Sequence, residues 1–193
     1  MTRTIAGAPE VESWPNARTV AVFGSARVEP DSPEYEEARA LGRSLAAAGF
    51  VVKTGGYYGA MEAVSAGARE GGAHVIGVTL RPFRARRPPN RHVLEEREAE
   101  DLFARVRGLV HSDAWVALAG GIGTLAEVAL TWNLLQHEER LRRPLVLVGE
   151  RWKALLPELM AHLIVSPEDA ELVQVVDGPN DALHALVEAL AGE

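Results

Sequence analysis

Short apolar runs alternate along the chain with stretches whose apolar positions recur at helical spacing. Thr19-Val20-Ala21-Val22-Phe23 predicts a buried strand ending at Gly24-Ser25. Ser32-Pro33 is a helix-start signal, and Ala38, Leu41, Leu45 and Ala46 then fall on one side of a helix reaching about Ala48. Phe50-Val51-Val52 predicts the second strand, and Ala60 to Glu70 a helix stopped by Gly71-Gly72. His74 to Val78 predicts the third strand. A Pro/Arg-rich connection over 80–92 follows, and then a helix from about Glu98 to Val110. The run Ala114 to Leu118 predicts a strand, and the helical spacing of Leu125, Val128, Leu130, Trp132, Leu134 and Leu135 follows it. Pro144 to Val148 and Val173 to Val176 complete the strands, while Trp152 to Leu163 and Asn180 to Leu190 read as helices.

Strands alternating with helices predict an α/β fold. The expected architecture is a Rossmann-like parallel sheet with helices on both faces, in three α/β/α layers. At 193 residues the chain fits one such domain, expected over 19–193, with 1–18 as a loose N-terminal arm. The glycine turns at Gly24, Gly55–Gly59 and Gly120–Gly123 all fall at strand carboxyl ends, so they share one rim, where such folds bind ligands.

Composition narrows the chemistry. A formal net charge of -7 argues against a nucleic-acid partner. The chain has no cysteine, which excludes disulfides and thiolate catalysis and fits a cytoplasmic protein. No apolar stretch approaches the ~20 residues of a membrane span, and the six histidines show no metal spacing.

The densest signal is Ala119-Gly120-Gly121-Ile122-Gly123-Thr124-Leu125-Ala126-Glu127, between a strand and a helix. Glycines there let the backbone approach an anion, and first-turn amides point at it. Thr124 adds a hydroxyl donor or caps the helix. Glu127, three residues on, shares a helix face with Thr124. A carboxylate suits a phosphate poorly, so it belongs beside the neutral or developing cationic part of a phosphorylated ligand.

This stretch resembles the signature of the LOG (Lonely Guy) family, Pro-Gly-Gly-x-Gly-Thr-x-x-Glu, with Ala119 replacing the proline. Thr54-Gly55-Gly56-Tyr57-Tyr58-Gly59-Ala60-Met61-Glu62 resembles the family's second motif, Gly-Gly-Gly-x-x-Gly-x-Met-Gly, departing at Thr54 and Glu62. Members are nucleoside 5'-monophosphate phosphoribohydrolases, many under the older label lysine decarboxylase-like. The resemblance implies cleavage of an N-glycosidic bond with Glu127 and an arginine as catalytic residues, and it requires no cofactor or metal. Gly120, Gly121, Gly123 and Thr124 would hold the phosphate of a nucleotide such as AMP. Gly24, Ser25, Gly55, Gly56, Gly59 and Met61 would line its base and ribose side. The family's arginine lies on the helix before the signature strand. Ungapped counting from Glu127 puts that slot on Ala104; a one-residue deletion brings in Arg105, and Arg107 is the fallback. A homodimer is implied as well.

The competing reading is a nucleotide or cofactor carrier without hydrolysis, because proteins similar to this family include a molybdenum-cofactor carrier. Amino-acid decarboxylation needs a Schiff-base lysine, and neither Lys53 nor Lys153, the only lysines, sits in a recognisable cofactor motif. Gly24-Ser25-Ala26-Arg27 lacks the dinucleotide-binding glycine pattern.

Overall fold

In the central strand of the sheet, alternate residues feed two separate cores. The computed structural model describes residues 2–4, 17–83, 85–137 and 143–191. Strand β1 is Thr2–Thr4, β2 Thr19–Phe23, β3 Val51–Thr54, β4 Val75–Leu80, β5 Glu95–Ala99, β6 Ala114–Ala117, β7 Leu145–Val148 and β8 Val173–Val176. The helices are α1 Pro33–Ala47, α2 Ala60–Glu70, α3 Leu102–Val110, α4 Ile122–His137, α5 Glu150–His162, α6 Pro167–Ala170 and α7 Pro179–Ala191, with a 3-10 turn at Arg81–Phe83. Val20 and Val22 of β2 pack with Leu41, Val64 and Leu186, beneath α1, α2 and α7. Ala21 and Phe23 point the other way, against Leu109, Val128 and Trp152 of α3, α4 and α5. A strand covered on both faces favours apolar residues on both, which explains the unbroken run Val20-Ala21-Val22-Phe23.

The strand order is β1-β5-β4-β3-β2-β6-β7-β8. The seven strands from β2 onward pair parallel, and β1 is antiparallel to β5. The fold is therefore the expected three-layer Rossmann-like α/β architecture. Within the stretch expected as a loose arm, Thr2–Thr4 forms the edge strand β1, and residues 5–16 lie outside the described residues. Chain direction reverses its progress across the sheet at β2, between β3 and β6, so a crevice opens at their carboxyl ends.

One expected element is corrected. The helix read from about Glu98 is two elements: strand β5 first, then α3 from Leu102, with Asp101 Oδ1 accepting from the Ala104 amide at 2.7 Å. The strand hid because Glu-Glu-Arg-Glu-Ala has no apolar alternation. Its polar side chains are satisfied sideways instead: Glu95 by His74 and Arg97, Glu96 by Thr79, and Glu98 by Arg81.

Candidate active site

The three glycine turns converge at the crevice, tied together by backbone bonds. The Ser25 amide donates to Ala119 O (3.4 Å) and the Ala60 amide to Ser25 O (2.9 Å), linking the turns after β6, β2 and β3. Between them lies a cleft of about 840 Å³. Of the expected site residues, Gly24, Ser25, Gly55, Met61, Arg105, Gly121, Gly123, Thr124 and Glu127 line it.

Three expected residues do not. Gly120 faces an adjoining pocket, and a Cβ there would collide with the Thr124 side chain. Gly56 and Gly59 shape the loop behind the cleft. Both have positive φ, 78° and 66°, and Gly59 presses on the backbone of Ser25 and Ala26. Their glycines answer to the turn, so their place in the motif does not imply ligand contact.

Gly121 and Gly123 are different. Neither has a positive φ, and a Cβ on either would meet nothing within 4 Å. Neither the turn nor the packing asks for glycine there. Helix α4 begins at Ile122, and its first returning bond runs from the Leu125 amide to Gly121 O. Among the described residues, no protein group accepts from the amides of Gly121, Ile122, Gly123 or Thr124. Four donors at a helix start, two of them on glycines, form an anion cradle.

One turn further along α4, Glu127 is 8% exposed and opens onto the same cleft. Burial pushes its carboxyl up to about 7, and the Arg105 guanidinium holds it back from rising further. Arg105 Nη1 lies 3.4 Å from Glu127 Oε1. The same guanidinium is fixed on its other edges: Nε donates to Val78 O (2.9 Å), and Nη2 to Gly55 O (3.4 Å). Gly55 makes this possible, since a side chain there would occupy the place of the Arg105 guanidinium. The guanidinium also lies over the Tyr57 ring, 5.7 Å from its centroid. The three candidate positions are placed differently. Ala104 and Arg107 line a separate recess with Arg97 and Glu98, and Arg105 alone of the three faces Glu127.

Sequence reasoning missed the apolar end of the cleft, formed by Tyr57, Leu80, Pro82, Phe83 and Leu102. Tyr57 appears in the sequence only as a variable position of the second glycine motif. It lines the cleft with its hydroxyl accepting from the Leu80 amide at 2.7 Å, while Tyr58 is exposed. Arg27, Glu100 and Asp101 also line the cleft and carried no sequence signal. In the Pro/Arg-rich connection, Arg84 lies outside the described residues, and Arg87 packs over the Phe83 ring at 5.8 Å. Among the described residues, no group of three acidic or histidine side chains is arranged to hold a metal, and no helix is long and apolar enough to cross a membrane.

The family described as possible lysine decarboxylase matches residues 61–186, which include Arg105, the α4 cradle and Glu127. The chain belongs to this family. It is the LOG family of the sequence resemblance, under its older label. Its relatives include a cytokinin riboside 5'-monophosphate phosphoribohydrolase of Mycobacterium marinum, 33% identical over 89% of this chain and 94% of that protein. The Mycobacterium tuberculosis protein of the same name is 33% identical over 86% of this chain and 92% of its own. Among solved structures, the molybdenum cofactor binding protein of Rippkaea orientalis superposes with a TM-score of 0.70 at 26% identity, covering 91% of this chain and 98% of that one. The molybdenum cofactor carrier protein of Chlamydomonas reinhardtii gives a TM-score of 0.69 at 26% identity, covering 90% and 99%. This LOG-family chain thus shares its fold with hydrolases and carriers alike, and the residues of the cleft decide between them.

Proposed function

We propose that this chain hydrolyses the N-glycosidic bond of a nucleoside 5'-monophosphate, AMP being the first candidate, to free base and ribose 5-phosphate. The observation that carries the proposal is the buried Glu127 carboxylate. It is held by Arg105 at 3.4 Å and stands one helical turn beyond four free amides. The amides of Gly121 to Thr124 take the 5'-phosphate, and Ser25 closes the cradle from β2. The ribose then lies over Glu127, and the base extends toward Tyr57, Phe83 and Met61. As the bond from C1' to the base nitrogen breaks, positive charge develops at C1' and the ring oxygen. The Glu127 carboxylate stabilises that charge and orients the water whose oxygen bonds to C1'. One water proton leaves with the base. Arg105 keeps Glu127 ionised and fixes its direction. A buried carboxylate that Arg105 satisfies only in part, and that gains a second positive neighbour as the reaction proceeds, favours the transition state over the ground state.

The same cradle would serve a carrier, but a carrier has no use for a costly carboxylate at the sugar. Incubation with AMP separates the two: adenine and ribose 5-phosphate appear under our reading, while AMP binding without products would support the carrier. We also infer a homodimer. Leu102 and Phe103 of α3 are 57% and 85% exposed, and Ile122 and Leu130 of α4 are 82% and 50% exposed, an apolar surface beside the cleft. Sedimentation analysis tests it. The cysteine-free composition suits the reducing cytoplasm, where we place the activity.

A further inference from the structure

Past the signature glycines the cleft continues into a second pocket of about 430 Å³. The two share Ser25, Arg27 and Gly121, so the second pocket begins where a 5'-phosphate on the α4 amides would end. Its charged lining comes from Arg27 and Glu29 in the loop after β2, Glu34 in the first turn of α1, and Arg151 in the first turn of α5. The guanidiniums of Arg27 and Arg151 have no hydrogen-bond or ion-pair partner among the described residues. Other arginines on this surface are paired, Arg39 and Arg43 with Glu70 and Arg81 with Glu98 and Glu100, so acceptors hold guanidiniums where they are within reach.

We propose that this pocket holds a second phosphate and the sugar attached to it, so that the site accepts nucleoside 5'-diphosphate sugars of the ADP-ribose type. The inference rests on the nucleotide reading above. Arginine forks suit phosphate oxygens, two at a time. The two carboxylates rule out a longer run of bare phosphates, whose charge they would repel. Carboxylates do accept hydrogen bonds from paired sugar hydroxyls. A bridging phosphate followed by a sugar therefore uses all four charged side chains. The volume falls in the range of ordinary ligand pockets, roughly 300–1,000 Å³.

Calorimetric titration of the full chain with AMP, ADP and ADP-ribose tests this. ADP-ribose should bind about tenfold tighter than AMP, as expected for an added charge-assisted phosphate contact, with ADP in between. Arg151→Ser should bring ADP-ribose down to the AMP level and leave AMP hydrolysis unchanged, because Arg151 does not line the main cleft. Glu29→Gln should weaken ADP-ribose but not ADP. Wild-type protein that binds ADP-ribose no tighter than AMP, or a gain that survives Arg151→Ser, overturns the inference. ADP binding as tightly as ADP-ribose overturns the place given to the sugar. Should AMP be bound and cleaved while ADP-ribose gains nothing, this inference fails alone; should no nucleotide bind, the reading of the cleft fails with it.

Discussion

Replacing Glu127 by glutamine should make this protein more stable at the pH where it is expected to work. Burial raises the Glu127 carboxyl from an ordinary 4.5 to about 7, even with Arg105 beside it. Between those two values the folded chain holds a proton that the unfolded chain has released. Stability therefore falls as pH rises through that window, and the full cost is present above pH 7. At about 1.36 kcal/mol per pH unit, the shift corresponds to a cost of about 3 kcal/mol at pH 8, about 2 at pH 6 and about 1 at pH 5. Glutamine has the same shape and no charge to desolvate. The variant should gain about these amounts, which for a chain of this size is a melting point raised by roughly 6 to 12 °C at pH 8. Urea titrations or calorimetric scans of both proteins at pH 8, 6 and 5 measure it. The gain must shrink on acidification. A variant no more stable than wild type at pH 8, or a gain that ignores pH, would refute the claim that Glu127 is held ionised against its environment.

The ionised carboxylate is also the proposed working form. The value of kcat/KM for AMP should therefore rise about tenfold per pH unit below about 7 and level off above it, as a pH–rate profile will show. Arg105→Lys, which keeps the charge but loses the fork that spans Val78 O, Gly55 O and Glu127, should lower kcat/KM by about 100-fold or more. Arg107→Ala should stay within about twofold in the same assay. Gly123→Ala meets no protein atom and sits in a helix, so thermal stability should hold or rise by up to about 1 kcal/mol. AMP affinity should nevertheless fall in that variant; titration showing unchanged affinity would remove the phosphate from that spot.

How far the sequence reveals this molecule depends on what each element answers to. Strand β2, helix α2 and strand β8 are legible to the residue, because their buried positions are apolar or small and each is bounded by glycine or polar breaks. Strand β5 is not, because its backbone is paired on both sides while its side chains are charged. The motif glycines were legible as a rim but not as roles. Gly56 and Gly59 are explained by the turn, Gly55 by the passage of Arg105, and only Gly121 and Gly123 by nothing in the protein. Which arginine faces Glu127 is ambiguous in the sequence for a geometric reason. Neighbouring helix positions differ by about 100°, so a one-residue change in the α3–β6 connection decides whether position 104 or 105 faces α4.

Two buried charges in this chain show how a structural group differs from a working one. Lys53 is 2% exposed, and burial brings its amine down to about 8. All three of its N–H bonds are nonetheless used, toward Gly108 O, His111 O and Ser112 Oγ, where it closes the carboxyl end of α3. No donor is left over for a substrate, and Lys53 does not line the cleft, so it cannot supply a Schiff-base amine there. Lys153, the other lysine, pairs with Glu150 and Asp177 outside it. Glu127 has the opposite arrangement. Its carboxylate has one long contact, to Arg105, and otherwise faces the cleft, so the protein bears the desolvation of a charge it does not fully satisfy. Folding alone gives no reason to keep such a group, and glutamine would serve it better. A sugar that turns cationic beside it does give a reason, and that is why we assign hydrolysis rather than carriage to this cleft.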